Sequence, residues 1–185
     1  MKIEMVSIDD VNELLDIYSY YVKKTAISFE YEIPSVDDFR ERIKQISEKY
    51  PYIKAVRDDG YIMGYAYANV FKARAAYDWS VETTVYVRND LRKSGVGKVL
   101  YQELEAALKN MGILNMNACI AVTSQEDKHL TNASVHFHEK MGFELEGTFH
   151  NSGYKFNTWY DMVWMEKMIG EHNAKQAPVL FGQKI

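Results

Sequence analysis

A single cysteine, Cys119, in 185 residues excludes an internal disulfide, and no zinc-ligand spacing surrounds it. A reduced, cytoplasmic setting is the expectation. No apolar run reaches the roughly 18 residues of a membrane span, and the N-terminus lacks the apolar core of a signal peptide, so neither membrane insertion nor secretion is expected. Basic residues are not in excess either: 22 Lys and Arg against 26 Asp and Glu leave a net charge of −4, which argues against non-specific nucleic-acid binding. Two familiar phosphate-binding patterns are missing, the P-loop Gly, four residues, Gly-Lys-Ser/Thr, and the dinucleotide turn Gly-x-Gly-x-x-Gly. No repeat, low-complexity tract or interdomain linker divides the chain, and no residue cluster implies a metal.

What is present is an ordinary globular composition, 47% hydrophobic and 26% charged. One domain over residues 1–170 is expected, with 171–185 as a C-terminal tail. Residues 1–7 read as a strand, and Asp9-Asp10 can cap a helix whose apolar positions run from Val11 to Val22 at helical spacing. Ser35, with Asp38 three residues on, caps a second helix to about Lys49, and Pro51 ends it. Residues 52–57 and 61–70 form a hairpin about Asp58-Asp59-Gly60. An aromatic, polar connection, Phe71 to Ser80, leads into a central strand ending Thr83-Thr84-Val85-Tyr86-Val87, all β-branched or aromatic.

The period then changes from two to 3.6, with Val96, Val99, Leu100, Leu104, Ala107 and Leu108 on one helical face. Further on, residues 114–122 read as a strand, 123–130 as a charged loop, about 132–141 as a helix closed by Gly142, Phe143 to Glu146 as the start of a strand, and 160–169 as the last strand. The order β-α-α-β-β-β-α-β-α-β-β gives an α/β (α+β) fold, a mixed central sheet with helices on both faces.

The strand-loop-helix junction at residues 80–110 is the chemical centre of this reading. A helix opening there leaves several N–H groups unpaired at the positive end of its dipole, a setting suited to an anion such as a pyrophosphate. Gly95 and Gly97 let a ligand touch backbone, and Arg92, Lys93 and Lys98 add charge.

Arg92-x-x-Gly95-x-Gly97 directly after Val85-Tyr86-Val87 resembles the acetyl-CoA loop of the GNAT superfamily of N-acetyltransferases. The resemblance narrows through Thr25-x-x-Ser28-Phe29-Glu30, Gly64-Tyr65-Ala66-Tyr67-Ala68, the long run from Lys72-Ala73-Arg74 through Tyr77-Asp78-Trp79 and Glu82 to Val87, His138-Glu139-x-x-Gly142-Phe143, and Gly153-Tyr154-Lys155. These blocks are similar to phosphinothricin N-acetyltransferases and span roughly residues 14–165.

The resemblance implies central strands that splay apart, with acetyl-CoA as co-substrate held by the backbone of Val85, Tyr86 and Val87 and by the loop Arg92, Lys93, Ser94, Gly95, Val96, Gly97 and Lys98. Asn132 and Ser134 fall near the family's further cofactor contact, although that pattern sets Asn three residues before Ser, a place held here by Thr131. It further implies Glu82 as general base and His138 as a second catalytic residue, with Tyr86 and Tyr154 as substitute acids. Lys72 and Arg74 would take an amino acid's carboxylate, and Phe29, Tyr77, Trp79 and Thr84 would line the acceptor site.

The expected activity is direct transfer of acetyl from acetyl-CoA, in a ternary complex, to a small amino-acid-like amine of the phosphinothricin, methionine sulfoximine or methionine sulfone type. Acetylation of protein N-termini or antibiotics and a non-catalytic acyl-CoA sensor are the alternatives. Cys119, inside an apolar strand, reads as inert packing rather than as a covalent carrier. The aromatic helix at 14–22 and the tail suggest a homodimer; no nucleic-acid or membrane partner is expected.

Overall fold

The computed structural model describes residues 1–182; residues 183–185, the end of the expected tail, lie outside the described residues. Seven strands and four helices follow the anticipated order: β1 (Lys2–Met5), α1 (Val11–Lys24), α2 (Val36–Ser47), β2 (Tyr52–Val56), β3 (Ile62–Val70), β4 (Ser80–Val87), α3 (Val96–Met111), β5 (Asn115–Val122), α4 (Ala133–Lys140), β6 (Glu144–Lys155) and β7 (Thr158–Met168). They build one sheet in the order β1-β2-β3-β4-β5-β7-β6. Among the described residues, no helix is long and apolar enough to cross a membrane.

Strand alternation divides the core in two. Ala66, Ala68 and Val81 pack with Leu100, Leu104 and Leu108 of α3, together with Met116, Ala118 and Ile120 of β5. Tyr52 and Tyr65 pack on the other face with Leu14, Tyr18 and Val22 of α1 and Phe39 and Ile43 of α2. Gly64 is required between them, because a Cβ there would meet the Tyr86 carbonyl of β4 at 2.7 Å.

The helix starts follow the sequence with one shift. Ser35 accepts the Asp38 N–H at the head of α2. Before α1 the cap moves back to Ser7, which exchanges hydrogen bonds with the turn Ile8–Asp10, so β1 is shorter than expected. Two further differences concern the C-terminal third. β6 runs to Lys155, and Phe156 and Asn157, with φ of 51° and 57°, make the two-residue turn into β7. The Phe156 ring stacks on His129, centroids 3.8 Å apart, which supports an aromatic in a backbone region that disfavours it.

The expected tail is docked on the domain. Leu180 N–H donates to Met111, Gly182 N–H to Lys49 and the Trp79 indole to Ala177. The aromatic face of α1 is likewise spent internally, Tyr18 and Tyr21 packing on Tyr86.

Candidate active site

Among the described residues β4 and β5 are the only parallel pair, and they hold register over just three residues, Ser80–Glu82 against Asn115–Asn117. Beyond that point the strands part. Two side chains finish the split: Asn117 Nδ2 donates to Val81 O at 3.2 Å, and Thr83 Oγ1 donates to Asn117 O at 3.1 Å. The phase of β4 follows from Arg88, whose N–H donates to Met63 of β3. Alternation then turns the main-chain groups of Val85 and Val87 away from β3, toward the gap, while those of Tyr86 pair with β3. The Val87 carbonyl is already taken by the Tyr21 hydroxyl. A ligand running along this edge therefore meets Val85 and the Val87 N–H, and Tyr86 contributes its ring to the opposite face.

The gap leads to the head of α3. Gly95 there has φ of 91° and no side-chain cap, and Lys93 also has a positive φ, 67°. The first helical N–H that is tied is that of Val99, on Gly95 O, which leaves the N–H groups of the first turn facing the loop. Arg92, Lys93, Ser94, Gly95 and Lys98 are exposed around them; Val96 is buried beneath, and Ser94 Oγ turns back onto Leu91 O. This donor set, an open strand edge ending in a bare, positively charged helix start, fits the amide arm and pyrophosphate of coenzyme A.

Glu82 sits at the parting point, half-buried on the face shared with Thr84 and Tyr86. Desolvation raises its pKa above the ordinary glutamate value, with the Lys72 ammonium opposing. Lys72 lies over the rings of Phe71 and Trp164, 4.9 and 5.2 Å from their centroids, and Tyr77 stands edge-on to Phe71. Trp164 of β7 is a neighbour that sequence reasoning missed, since a Trp in an amphipathic strand carries no sign of which cleft it enters.

Cys119 differs from expectation: it is exposed. Its thiol is pushed up to about 11, by desolvation first and then by the Glu82 carboxylate, with Lys72 opposing. A thiol so placed stays protonated near neutrality and is a poor nucleophile.

Other expected site residues are deployed differently. Asn132 closes the 123–131 loop, its amide accepting from Thr123 N–H at 3.1 Å and donating to Thr123 O at 2.9 Å. Ser134 offers its carbonyl to His138. The Trp79 indole is anchored on the tail at Ala177 O, 2.8 Å. Arg74 is exposed at the start of the short turn 75–77, and Phe29 packs against Tyr160 and Gly153 on the loop after α1. That loop is pinned by Lys155, whose buried ammonium donates to the carbonyls of Val22, Thr25 and Ser28 at 2.6–2.8 Å. Of the two substitute acids, Tyr86 is partly buried among tyrosines and its hydroxyl is raised well above the usual value by desolvation. Tyr154 is exposed.

His138 is buried, 4% exposed. Its Nδ1 lies 2.7 Å from Ser134 O and its Nε2 2.8 Å from the Tyr101 hydroxyl. A carbonyl can only accept, so Nδ1 carries the proton and Nε2 accepts from Tyr101. Burial pushes its pKa down to about 4, with the bond to Ser134 opposing, so the ring is neutral near pH 7. Tyr101 in turn lies 3.3 Å from Thr83 Oγ1, at the parting point of β4 and β5.

The chain is similar to known proteins in sequence and in fold. Residues 3–164 match the family described as Acetyltransferase (GNAT) domain. The chain is 33% identical to a phosphinothricin N-acetyltransferase of Streptomyces coelicolor over 164 residues, covering 87% of this chain and 92% of that one. It is 29% identical over 167 residues to the phosphinothricin N-acetyltransferase of Streptomyces viridochromogenes, covering 90% and 87%. A GNAT superfamily phosphinothricin acetyltransferase from Sinorhizobium meliloti, solved in complex with AcCoA, superposes with a TM-score of 0.86 at 30% identity, covering 95% of this chain and 91% of that one. The chain belongs to the GNAT acetyltransferase family and is an acetyl-CoA-dependent N-acetyltransferase.

Proposed function

We propose that the protein transfers acetyl directly to the α-amine of a small amino-acid-like acceptor, of the phosphinothricin, methionine sulfoximine or methionine sulfone type, in a ternary complex. One observation carries the reading: a half-buried carboxylate of raised pKa, Glu82, stands where β4 and β5 part, beside an aromatic cleft and up the strand from the bare head of α3. Acetyl-CoA supplies the thioester carbonyl. The Val85 and Val87 edge and the first turn of α3 hold it, with Arg92, Lys93 and Lys98 around the pyrophosphate.

The acceptor's ammonium, with a pKa near 8, must lose a proton before its nitrogen can attack. Glu82 takes that proton, directly or through one water, and its desolvation makes it a stronger base than a free glutamate. The new C–N bond forms as the C–S bond breaks, and the second proton, shed by the acylated nitrogen, passes through water to the departing thiolate. Lys72 holds the acceptor's carboxylate, with Phe71, Tyr77 and Trp164 as walls. His138 acts as a positioning residue: with Nδ1–H on Ser134 O and Nε2 on Tyr101, it supports Tyr101 and Thr83 behind the split.

The test is release of free coenzyme A thiol from acetyl-CoA with a panel of amines: phosphinothricin, methionine sulfoximine, methionine sulfone, common amino acids, polyamines and N-terminal peptides. Turnover confined to the amino-acid analogues supports the reading. Turnover confined to peptides, or acetyl-CoA binding without any turnover, overturns it.

A further inference from the structure

One cavity lies away from the α3 loop. It occupies about 490 Å³ between α2 and the α1-facing side of β3 and β4. Its floor is aromatic, formed by Tyr18, Tyr65, Tyr67 and Tyr86. Its wall carries two cations, Arg42 on α2 and Lys49 two residues past the end of that helix, and among the described residues no carboxylate lines it. A volume of this order suits a small-molecule ligand.

The cavity's rim lies one strand away from Glu82. Asn69 on its rim is the direct cross-strand partner of Glu82, as Tyr67 is of Thr84 and Tyr65 of Tyr86. Directly opposed residues of an antiparallel pair point to the same face with Cβ atoms roughly 5 Å apart. The Glu82 carboxylate therefore stands at the cavity's edge, and Arg42 faces the same space from the helix above.

Arg42 is held in place from the loop after α1: Nη1 donates to Glu30 Oε1 at 2.7 Å. That bond uses one of five guanidinium N–H donors, and Glu30 Oε2 is closed off from solvent with no partner of its own. Glu30 thus fixes the guanidinium without consuming it.

Resting on the acceptor reading above, we infer that Arg42, aided by Lys49, receives the distal acidic group of the acceptor, so that the cavity selects amino acids whose tail ends in an anion such as a phosphinate. The amine then lies at Glu82, the α-carboxylate at Lys72 and the tail over the tyrosine floor. A planar guanidinium suits two oxygens of one acidic group better than an ammonium does.

The test is calorimetric binding to protein saturated with free coenzyme A, where no turnover occurs. Phosphinothricin, with an anionic tail, is compared with methionine, whose tail is an uncharged thioether. For Arg42→Gln, phosphinothricin should bind about 10–100-fold more weakly, as expected for losing a charge-assisted pair, with methionine affinity unchanged. Glu30→Gln breaks the same ion pair but keeps the guanidinium, and should retain phosphinothricin binding.

Equal losses in the two variants would make Arg42 structural and overturn the inference. So would unchanged phosphinothricin binding in Arg42→Gln, or no binding to the wild type. Wild-type binding lost in Arg42→Gln, but with no thiol release from acetyl-CoA, would instead sink the catalytic reading and leave the subsite standing.

Discussion

The Tyr101 hydroxyl of α3 lies 2.8 Å from His138 Nε2 of α4, and this bond fixes the imidazole as a buried, neutral acceptor. Its consequence is a pH-dependent stability. The folded pKa of about 4 lies below the reference value of 6.5, so between these values the unfolded chain binds more protons than the folded one. Stability from this site is therefore full above pH 6.5 and lost as pH falls toward 4, by about 3 kcal/mol in all. Thermal melts from pH 7.5 to 4 should show that loss, and His138→Gln should flatten it. Tyr101→Phe leaves Nε2 buried without a donor and should cost about 1–3 kcal/mol at pH 7.5.

Glu82→Gln keeps the shape of the parting point but cannot take a proton. kcat should fall about 10²–10⁴-fold, with the acetyl-CoA dissociation constant unchanged. As the proposed base Glu82 has to be ionised, so kcat should rise with pH through its pKa, at a higher pH than an ordinary glutamate would give. The Lys72 ammonium pulls that pKa down. Lys72→Met should therefore move the acidic limb of kcat to higher pH, and a limb that stays fixed would show that another group sets it.

Gly95→Ala separates backbone strain from packing. An added Cβ meets no protein atom within 4 Å, but the residue holds φ of 91°. The left-handed conformation should cost about 1–2 kcal/mol, read in a denaturant melt. Acetyl-CoA affinity should fall as well, because the methyl group stands where the anion approaches the first turn of α3. Equilibrium titration with acetyl-CoA checks this.

Gly153 makes room for Phe29. A Cβ on Gly153 would sit inside the van der Waals envelope of the Phe29 ring, so Gly153→Ala must displace that ring. Destabilisation of about 1–3 kcal/mol is expected, together with a higher KM for the amine and an unchanged affinity for acetyl-CoA. Adding Phe29→Ala should restore part of the stability but not the KM.

Local chemistry wrote the element order into the sequence. Ser35 with Asp38, Pro51, Asp58-Asp59-Gly60 and the change of period at Gly95 each act within a few residues, so the four helices and seven strands of the described residues were legible, as was the loop before α3. The extent of β6 was not, because Phe156 in a positive-φ turn is stabilised by His129, which is remote in sequence.

The same limit applies to the side chains. Sequence position alone could not tell that Asn132 spends its amide on Thr123, that Trp79 anchors the tail, that Cys119 is exposed, or that Tyr21 of α1 packs on Tyr86. His138 was placed at the centre by its motif, yet only the packing of α4 on α3 decided that both its nitrogens face inward. Arg42 carried no signal at all, since a cation on the exposed side of an amphipathic helix reads as solvated surface. It faces a cavity only because α2 crosses β3 beside the cross-strand neighbour of Glu82, a proximity set by tertiary packing and not by local propensity.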